Sequence, residues 1–329
     1  MTNETSAAHG AERVPAALRY VSFNQLRSFH AVACAGSITR AAQMLHVSQP
    51  TVTIQLRQLE SSYGVELVHR NRSGMQLTDV GRELFAISER IFALEREAVD
   101  VLQNASGLLT GHLRVGGVGP YFVMQLLAEF SKRYPAIQLS LTLGNSEEAL
   151  TDLIEYRNDV AVIGRPAGQA TGNTRVAVVP FSRQSVVFCV SREHHWAGRR
   201  GVRLSELSGE ALIMREPGSI SRLALEEALA AANVDANVVL EVNREGVWEA
   251  AAAGLGVGVT TDAEFRPDDR LTMLQVLDAE VQTEAIVVSL RERQEAPLVR
   301  AFMAIATEMA DAATAVPSRP RVVGRETAD

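Results

Sequence analysis

The hydrophobic period changes once along this chain, and that change limits what it can fold into. Through the first hundred residues, two short runs aside, apolar side chains recur every three or four positions, as they do on helices. After Ser106 and Gly107 they gather into short runs that alternate with helical stretches, the pattern of a mostly parallel sheet flanked by helices. At 329 residues, a chain with such a break holds two or three domains rather than one core.

In the first part, Phe23, Leu26, Phe29 and Ala33 share a helical face and Gly36 follows as a stop, so a helix is expected over 24–35. Ser37 stands where its hydroxyl can cap a second, short helix with Ile38, Ala41, Ala42 and Leu45 inward and Thr39 and Arg40 outward. His46 and Val47 make the turn. Ser48 caps a third helix, whose first turn accepts Pro50 because no amide hydrogen is needed there. Val52, Leu56 and Leu59 lie on one face of it, leaving Gln49, Thr51, Thr53, Gln55 and Arg57 mostly on the others. Apolar runs at 65–69 and 75–77 flank a turn of Asn71, Arg72, Ser73 and Gly74 and read as a hairpin, or wing.

A formal net charge of -7 argues against a chain that binds nucleic acid over its whole surface. Between Tyr20 and Arg82, however, the basic residues are Arg27, Arg40, Arg57, Arg70, Arg72 and Arg82, against only Glu60, Glu66 and Asp79. This locally positive module carries a helix face of short polar groups and arginine, which suits base edges and phosphates in a major groove, with wing arginines on the backbone. The other reading is a small structural subdomain with solvated polar faces.

The run FHAVACAGSITRAAQMLHVSQPTVTIQLRQLESSYGVELVHR, followed by GMQLTDVGRELF, resembles the N-terminal signature of LysR-type transcription regulators. The resemblance implies double-stranded DNA as a partner. It places Ser37, Thr39, Arg40, Ser48, Gln49, Pro50, Thr51, Thr53, Gln55 and Arg57 at or near the duplex, with Arg70 and Arg72 from the wing.

Thr78 is placed to cap a long helix in which Val80, Leu84, Ile87, Ile91, Leu94, Ala98 and Val101 repeat at alternating fours and threes. Such a heptad seam favours a partner helix; packing on its own domain is the alternative. The resemblance implies antiparallel pairing of this linker helix in a dimer, with Val80, Leu84, Ile87, Ile91 and Leu94 at the seam, and further association into a tetramer. A two-fold dimer implies an inverted-repeat operator. RNA polymerase is a further candidate partner of such a regulator.

Beyond residue 107, strands are expected at 113–118, 137–143 and 160–163. A second set follows at 176–180, 186–190, 211–214, 238–242 and 257–260, and strands at 271–276 and 285–290 return to the first set. Crossovers near 164–167 and 260–262 then form a hinge between two lobes that can close on a ligand. LysR-type sensors share this periplasmic-binding-protein-like architecture. The whole is therefore an α+β multidomain chain: a winged helix-turn-helix at 21–79, a linker helix at 80–106 and an effector-binding domain at 107–316, between polar tails at 1–20 and 317–329. Lobe I comprises 110–165 and 262–316, lobe II 166–261.

Three helix starts offer free amides that favour an anion: Gly119, Pro120 and Tyr121; Asn145 and Ser146; and Pro217, Gly218 and Ser219 within REPGSIS, where Ser221 adds a hydroxyl. Arg165 at the hinge and Arg244 are candidate partners for its charge. Ordinary caps and turns would look the same. The strings SQPTVT, YGVEL, GPYFV, GNSEEAL and REPGS resemble regulators associated with aminoethylphosphonate catabolism, which implies a phosphonate effector; an amino acid or small carboxylate is the alternative.

Other classes fit less well. Gly116, Gly117 and Gly119 after a strand lack the third glycine of a dinucleotide loop, since Phe122 stands there. His194 and His195 lack nearby acidic or thiol ligands on this reading, so no metal or other cofactor is implied, and no serine sits in a nucleophile elbow. No enzyme activity is expected. A solute-binding protein would share the sensor fold but not the attached reader. Cys34 and Cys189 read as two buried thiols, with a redox sensor as the alternative. The polar N-terminus has no secretory-signal pattern and no run is long and apolar enough for a bilayer, so no membrane partner and a cytoplasmic location are expected.

Overall fold

The computed structural model describes residues 20–71, 74–104, 111–170, 172–266 and 268–315. They form two compact units, one ending at Leu94 and the other beginning at Glu95. Among the described residues no helix is long and apolar enough to cross a membrane.

The first unit holds α1 (Phe23–Ala35), α2 (Ile38–Met44), α3 (Gln49–Tyr63), the antiparallel pair β1 (Val68–Asn71) and β2 (Gly74–Leu77), and the start of α4 (Asp79–Asn104). Leu26, Phe29, Val32, Ala41, Val52, Leu56 and Leu59 make one buried core, the faces read from helical spacing. Gly36 and Gly64 end α1 and α3 in the left-handed region, at φ of 60° and 66°, where a side chain would be strained.

Ser37 holds the N-cap position of α2 but makes no side-chain cap bond, contrary to expectation; of the two serines, Ser48, before α3, is the one that caps with its hydroxyl. The wing is tied down from both sides. The Leu67 amide donates to Glu60 Oε1 at 2.9 Å, and the Met75 amide donates to the Gly36 carbonyl at 3.2 Å. Thr78 caps α4 through the Gly81 amide at 3.0 Å. Phe85 and Phe92 turn α4 toward α1, where the His30 ring lies 5.3 and 4.8 Å from theirs and its Nδ1 bonds Ser88 Oγ at 2.8 Å.

The second unit continues in chain order with β3 (Gly111–Gly117), α5 (Pro120–Arg133), β4 (Ile137–Leu143), α6 (Ser146–Ile154), β5 (Val160–Pro166), β6 (Val176–Ser191), β7 (Gly201–Val202), β8 (Ala211–Arg215), α7 (Ile220–Ala231), β9 (Asn237–Val242), α8 (Arg244–Ala252), β10 (Val257–Thr261), β11 (Leu271–Val276), β12 (Gln282–Leu290) and α9 (Pro297–Ala315). One lobe is built on the strand order β4-β3-β5-β12-β6, with α5 and α9 over a core of Leu113, Val115, Leu126, Phe130 and Phe302. The other is built on β6-β10-β8-β9, with β11 paired to both β6 and β7, over a core of Phe188, Trp196, Leu207, Met214 and Leu225.

The route between lobes differs from the expected one. The apolar runs at 176–180 and 186–190 are one long strand. β6 pairs with β12 from Val176 to Ser185, with a bulge at Phe181, and with β10 from Val186 onward, so it crosses between lobes as one strand. The polar stretch Ser182 to Ser185 interrupts the hydrophobic pattern without interrupting the backbone bonds. β11 pairs with the far half of β6, Met273 opposite Cys189, and therefore belongs to the second lobe, not the first. The return crossing lies between β11 and β12, not near residues 260–262.

Candidate functional site

In the first unit, α3 begins free of acidic residues in its first turn, so its N-terminal partial positive charge is not neutralised within the helix. Ser48 Oγ accepts the Thr51 amide at 3.3 Å. Thr39 Oγ1, on α2, donates to Gln49 Oε1 at 3.4 Å and links the outer ends of the two helices. Thr39, Arg40, Ser48, Gln49, Pro50 and Arg57 are exposed, while Ser37, Thr51, Thr53 and Gln55 are half-buried. Thr53 spends its hydroxyl proton on the Gln49 carbonyl at 3.0 Å. The Gln55 carbonyl oxygen accepts from Ser28 Oγ, so its amide is the group left to act as a donor outward.

Ile54, missed from the sequence, is 54% exposed on α3 beside Thr51 and Thr53. Its signal was its phase: it lies off the Val52, Leu56, Leu59 stripe, and an exposed methyl group there can meet a thymine methyl. The Arg70 side chain and Arg72 lie outside what is described.

The proposed seam of α4 divides. Leu84 and Ile91 pack on the core of the first unit, whereas Val80, Ile87 and Leu94, spaced by sevens, are 47%, 51% and 58% exposed.

In the second unit the N-termini of α5, α6, α7 and α8 all border one cleft between the lobes. Gly119 and Tyr121 come from α5, Asn145 and Ser146 from α6, Ser219 and Ser221 from α7, and Arg244 from α8. Three of these helix starts were anticipated; that of α8 was not. Asn145 caps α6 through the Glu148 amide at 2.9 Å, and its Nδ2 reaches across to the Pro217 carbonyl at 3.3 Å. Ser219 makes no cap bond and pairs instead with the Ser221 hydroxyl at 3.1 Å. Ser146 Oγ accepts the Gly164 amide at 3.0 Å.

Two buried arginines face this space. Burial first, and the like charge of Arg215 next, pull the Arg244 guanidinium down to about 10. Arg244 pairs with Glu264 and donates across the lobes to the Val118 carbonyl. Gly119 allows this approach, since a Cβ there would lie 2.6 Å from Arg244 Cζ. Arg215 is gripped by both carboxylate oxygens of Glu216, at 2.8 and 2.7 Å. The Arg266 guanidinium stacks 4.5 Å over the Tyr121 ring as a further tie between lobes. Together these ties leave a free volume of about 40 Å³.

Sequence reasoning did not assign Gln184, Thr261, Glu264 and Thr283, which also line the cleft, as does Arg215, the first residue of the REPGSIS run. Arg215 carried a readable sign, a charge ending the apolar strand ALIMR; the others come together only through topology. Arg165, Pro217 and Gly218 instead border an adjoining groove of about 510 Å³, and Pro120 lines neither. Arg165 is engaged by Glu284 Oε2 at 2.9 and 2.7 Å.

Two further expectations need correction. Cys34 is exposed rather than buried, and only Cys189 is enclosed. Burial pushes the Cys189 thiol up to about 12, so at neutral pH it is the inert protonated form. His194 and His195 do have an acid nearby: Glu210 lies 3.8 Å from His194 Nε2 and 3.3 Å from His195 Nε2. The Trp196 amide, however, donates to His194 Nδ1 at 3.2 Å, which leaves the neutral ring's proton on Nε2, aimed at Glu210. His194 therefore turns a protonated nitrogen, not a lone pair, toward Glu210 at 3.8 Å.

Residues 106–311 match the family described as LysR substrate binding domain, and residues 23–82 the family described as bacterial regulatory helix-turn-helix protein, lysR family. The RuBisCO operon transcriptional regulator of Allochromatium vinosum is 34% identical over 264 residues, covering 79% of this chain and 86% of that protein. Full-length CbnR complexed with its target DNA shares the fold, with a TM-score of 0.65 at 22% identity over 88% of this chain and 100% of that one. The CcmR regulatory domain of Synechocystis PCC6803, in complex with 2-PG, is 26% identical with a TM-score of 0.54, covering 61% of this chain and 98% of that one. Matched in both of its folded parts, in the same order along the chain, this protein belongs to the LysR family of DNA-binding transcription regulators.

Proposed function

We propose that the protein binds an inverted-repeat operator as a dimer and that a small anion in the interlobe cleft modulates this binding. The observation that carries the effector's class is the convergence of four helix N-termini and two buried arginines on one cleft. Backbone amides and helix dipoles favour negative charge there, and burial strengthens each interaction. The 2-PG complex of the similar CcmR domain supports an anionic effector. 2-PG and 2-aminoethylphosphonate are the first two compounds to try.

At the DNA end, α3 enters the major groove. Arg40 and Arg57 meet phosphates, and Gln49, Thr51, Thr53 and Ile54 lie nearest the base edges. The exposed heptad positions Val80, Ile87 and Leu94 pair α4 with a second copy, because a wet apolar stripe is costly and a partner helix covers it. Pairs of dimers then form a tetramer. A ligand acts on operator binding only through its difference in affinity for the two arrangements of the lobes.

The test is a thermal-shift screen of the purified protein against small anions. An effector at about 100 times its Kd stabilises the native state by about 2.7 kcal/mol. A screen in which no phosphate, phosphonate or carboxylate moves the transition contradicts the anion reading.

A further inference from the structure

Glu264 lines the cleft without belonging to any of its helix starts, and it is the one carboxylate there that holds Arg244. We propose that Glu264 is a built-in competitor for the effector, a role that rests on the anion reading of the cleft: its carboxylate holds Arg244, and an anionic ligand must take that guanidinium from it. Glu264 stands in the turn after β10, where its backbone amide bonds the Thr261 carbonyl at 3.2 Å. Its side chain is only 13% exposed and pairs with Arg244, itself 10% exposed. The same guanidinium donates to the Val118 carbonyl of the other lobe, so the group that Glu264 neutralises is also the group that ties the lobes.

The geometry ties any ligand that reaches Arg244 to the parting of existing contacts. A free volume of about 40 Å³ has room for a water or two and not for an organic anion, so a ligand enters only if existing contacts part. Arg215 has its own partner in Glu216, the adjacent residue, and a ligand that bound there alone would leave the lobe-tying guanidinium where it is. Taking Arg244 from Glu264 releases Val118 in the same movement, which couples binding to lobe displacement.

The exchange also selects a chemical class. An effector carboxylate replaces Glu264 like for like and gains little. A dianionic phosphate or phosphonate brings more charge to Arg244 and to the surrounding amides and gains more. If the Glu264-paired form holds about 90% of the population, it raises the apparent Kd about tenfold.

The experiment titrates inorganic phosphate and acetate into the full-length protein at fixed ionic strength, comparing the wild type with Glu264→Gln and, as a second variant that keeps the charge but shortens its reach, Glu264→Asp. The expected result is wild-type preference for phosphate over acetate, phosphate binding about tenfold tighter in Glu264→Gln, and a narrower preference there. Glu264→Asp moves in the same direction, and the gain disappears when Arg244→Ala is added. Unchanged or weaker phosphate binding in both Glu264 variants, while the wild type binds, overturns the competitor role and leaves the anion cleft standing. A gain that survives Arg244→Ala overturns it as well. Failure of the wild type and both variants to bind either anion removes the anion reading itself, and the competitor with it.

Discussion

Replacing Asp159 with alanine removes the centre of the network that anchors the end of α4 within the second unit. Asp159 is 6% exposed. Its Oδ2 accepts the Arg114 backbone amide at 2.9 Å and Arg114 Nε at 3.1 Å, while its Oδ1 accepts Arg114 Nη2 at 2.8 Å and Arg293 Nη1 at 2.6 Å. Arg293, 4% exposed, also donates to Glu97 Oε2 on α4 at 3.2 Å. Breaking a buried pair by deleting one partner costs about 3 to 5 kcal/mol, because the remaining charge stays desolvated. Arg114 is partly open to water and Arg293 keeps Glu97, so the lower end, about 3 kcal/mol, is expected. In a unit of this size that lowers Tm by roughly 6 to 12 °C.

The same residue sets a pH dependence. Burial by itself raises the Asp159 carboxyl, but the Arg114 hydrogen bond and the charges of Arg114 and Arg293 outweigh it and hold the group below its ordinary range. A carboxyl depressed in the folded state contributes stability that is fully present above its unfolded value, about 3.9, and is lost as pH falls through the folded value. The gap between wild type and Asp159→Ala is thus constant from about pH 5 to 8 and closes below about pH 4. The two tryptophans, Trp196 and Trp248, both lie in the second unit, so urea melts followed by their fluorescence report on it alone. A loss under about 1 kcal/mol at pH 7, or a gap that widens on acidification, refutes the reasoning.

Ile87→Asp, placing a charge in the exposed heptad stripe, is expected to shift the protein toward monomer in sedimentation at micromolar concentration while leaving its helix content unchanged. Arg57→Ala is expected to weaken operator binding at fixed salt and, as a phosphate contact, to lower the salt slope by about one. Ser146→Ala removes the acceptor for the Gly164 amide at the cleft wall; it is expected to weaken the response to an anion in a thermal-shift titration without changing affinity for DNA.

The reader unit was legible because its information is local. The stops at Gly36 and Gly64, the cap at Ser48 and the stripe Val52, Leu56, Leu59 are each set by residues within a turn or two. What failed there was side-chain detail: Ser37 occupies a cap position without capping, and Gln55 turns partly inward to Ser28, choices that depend on neighbours distant in sequence.

The sensor was legible as strands and helices but not as lobes. Pairing partners of β11 and β12 lie about a hundred residues upstream in β6, and an apolar strand has the same pattern in either sheet. The cleft followed the same rule. Helix starts at Gly119, Asn145 and Ser219 were visible as caps, whereas Gln184, Glu264 and Thr283 have no local sign and reach the cleft through the way β6 and the connection from β11 to β12 pass between lobes.

Footprinting of the purified protein on DNA flanking its own gene, at fixed salt and with and without 2-PG or 2-aminoethylphosphonate, brings reader, dimer and sensor to one readout. Two protected patches related as an inverted repeat, with their pattern altered by an anion that also raises Tm, are the expected outcome. Absence of protection at every ionic strength, or protection by a single half-site from a monomer, would contradict it.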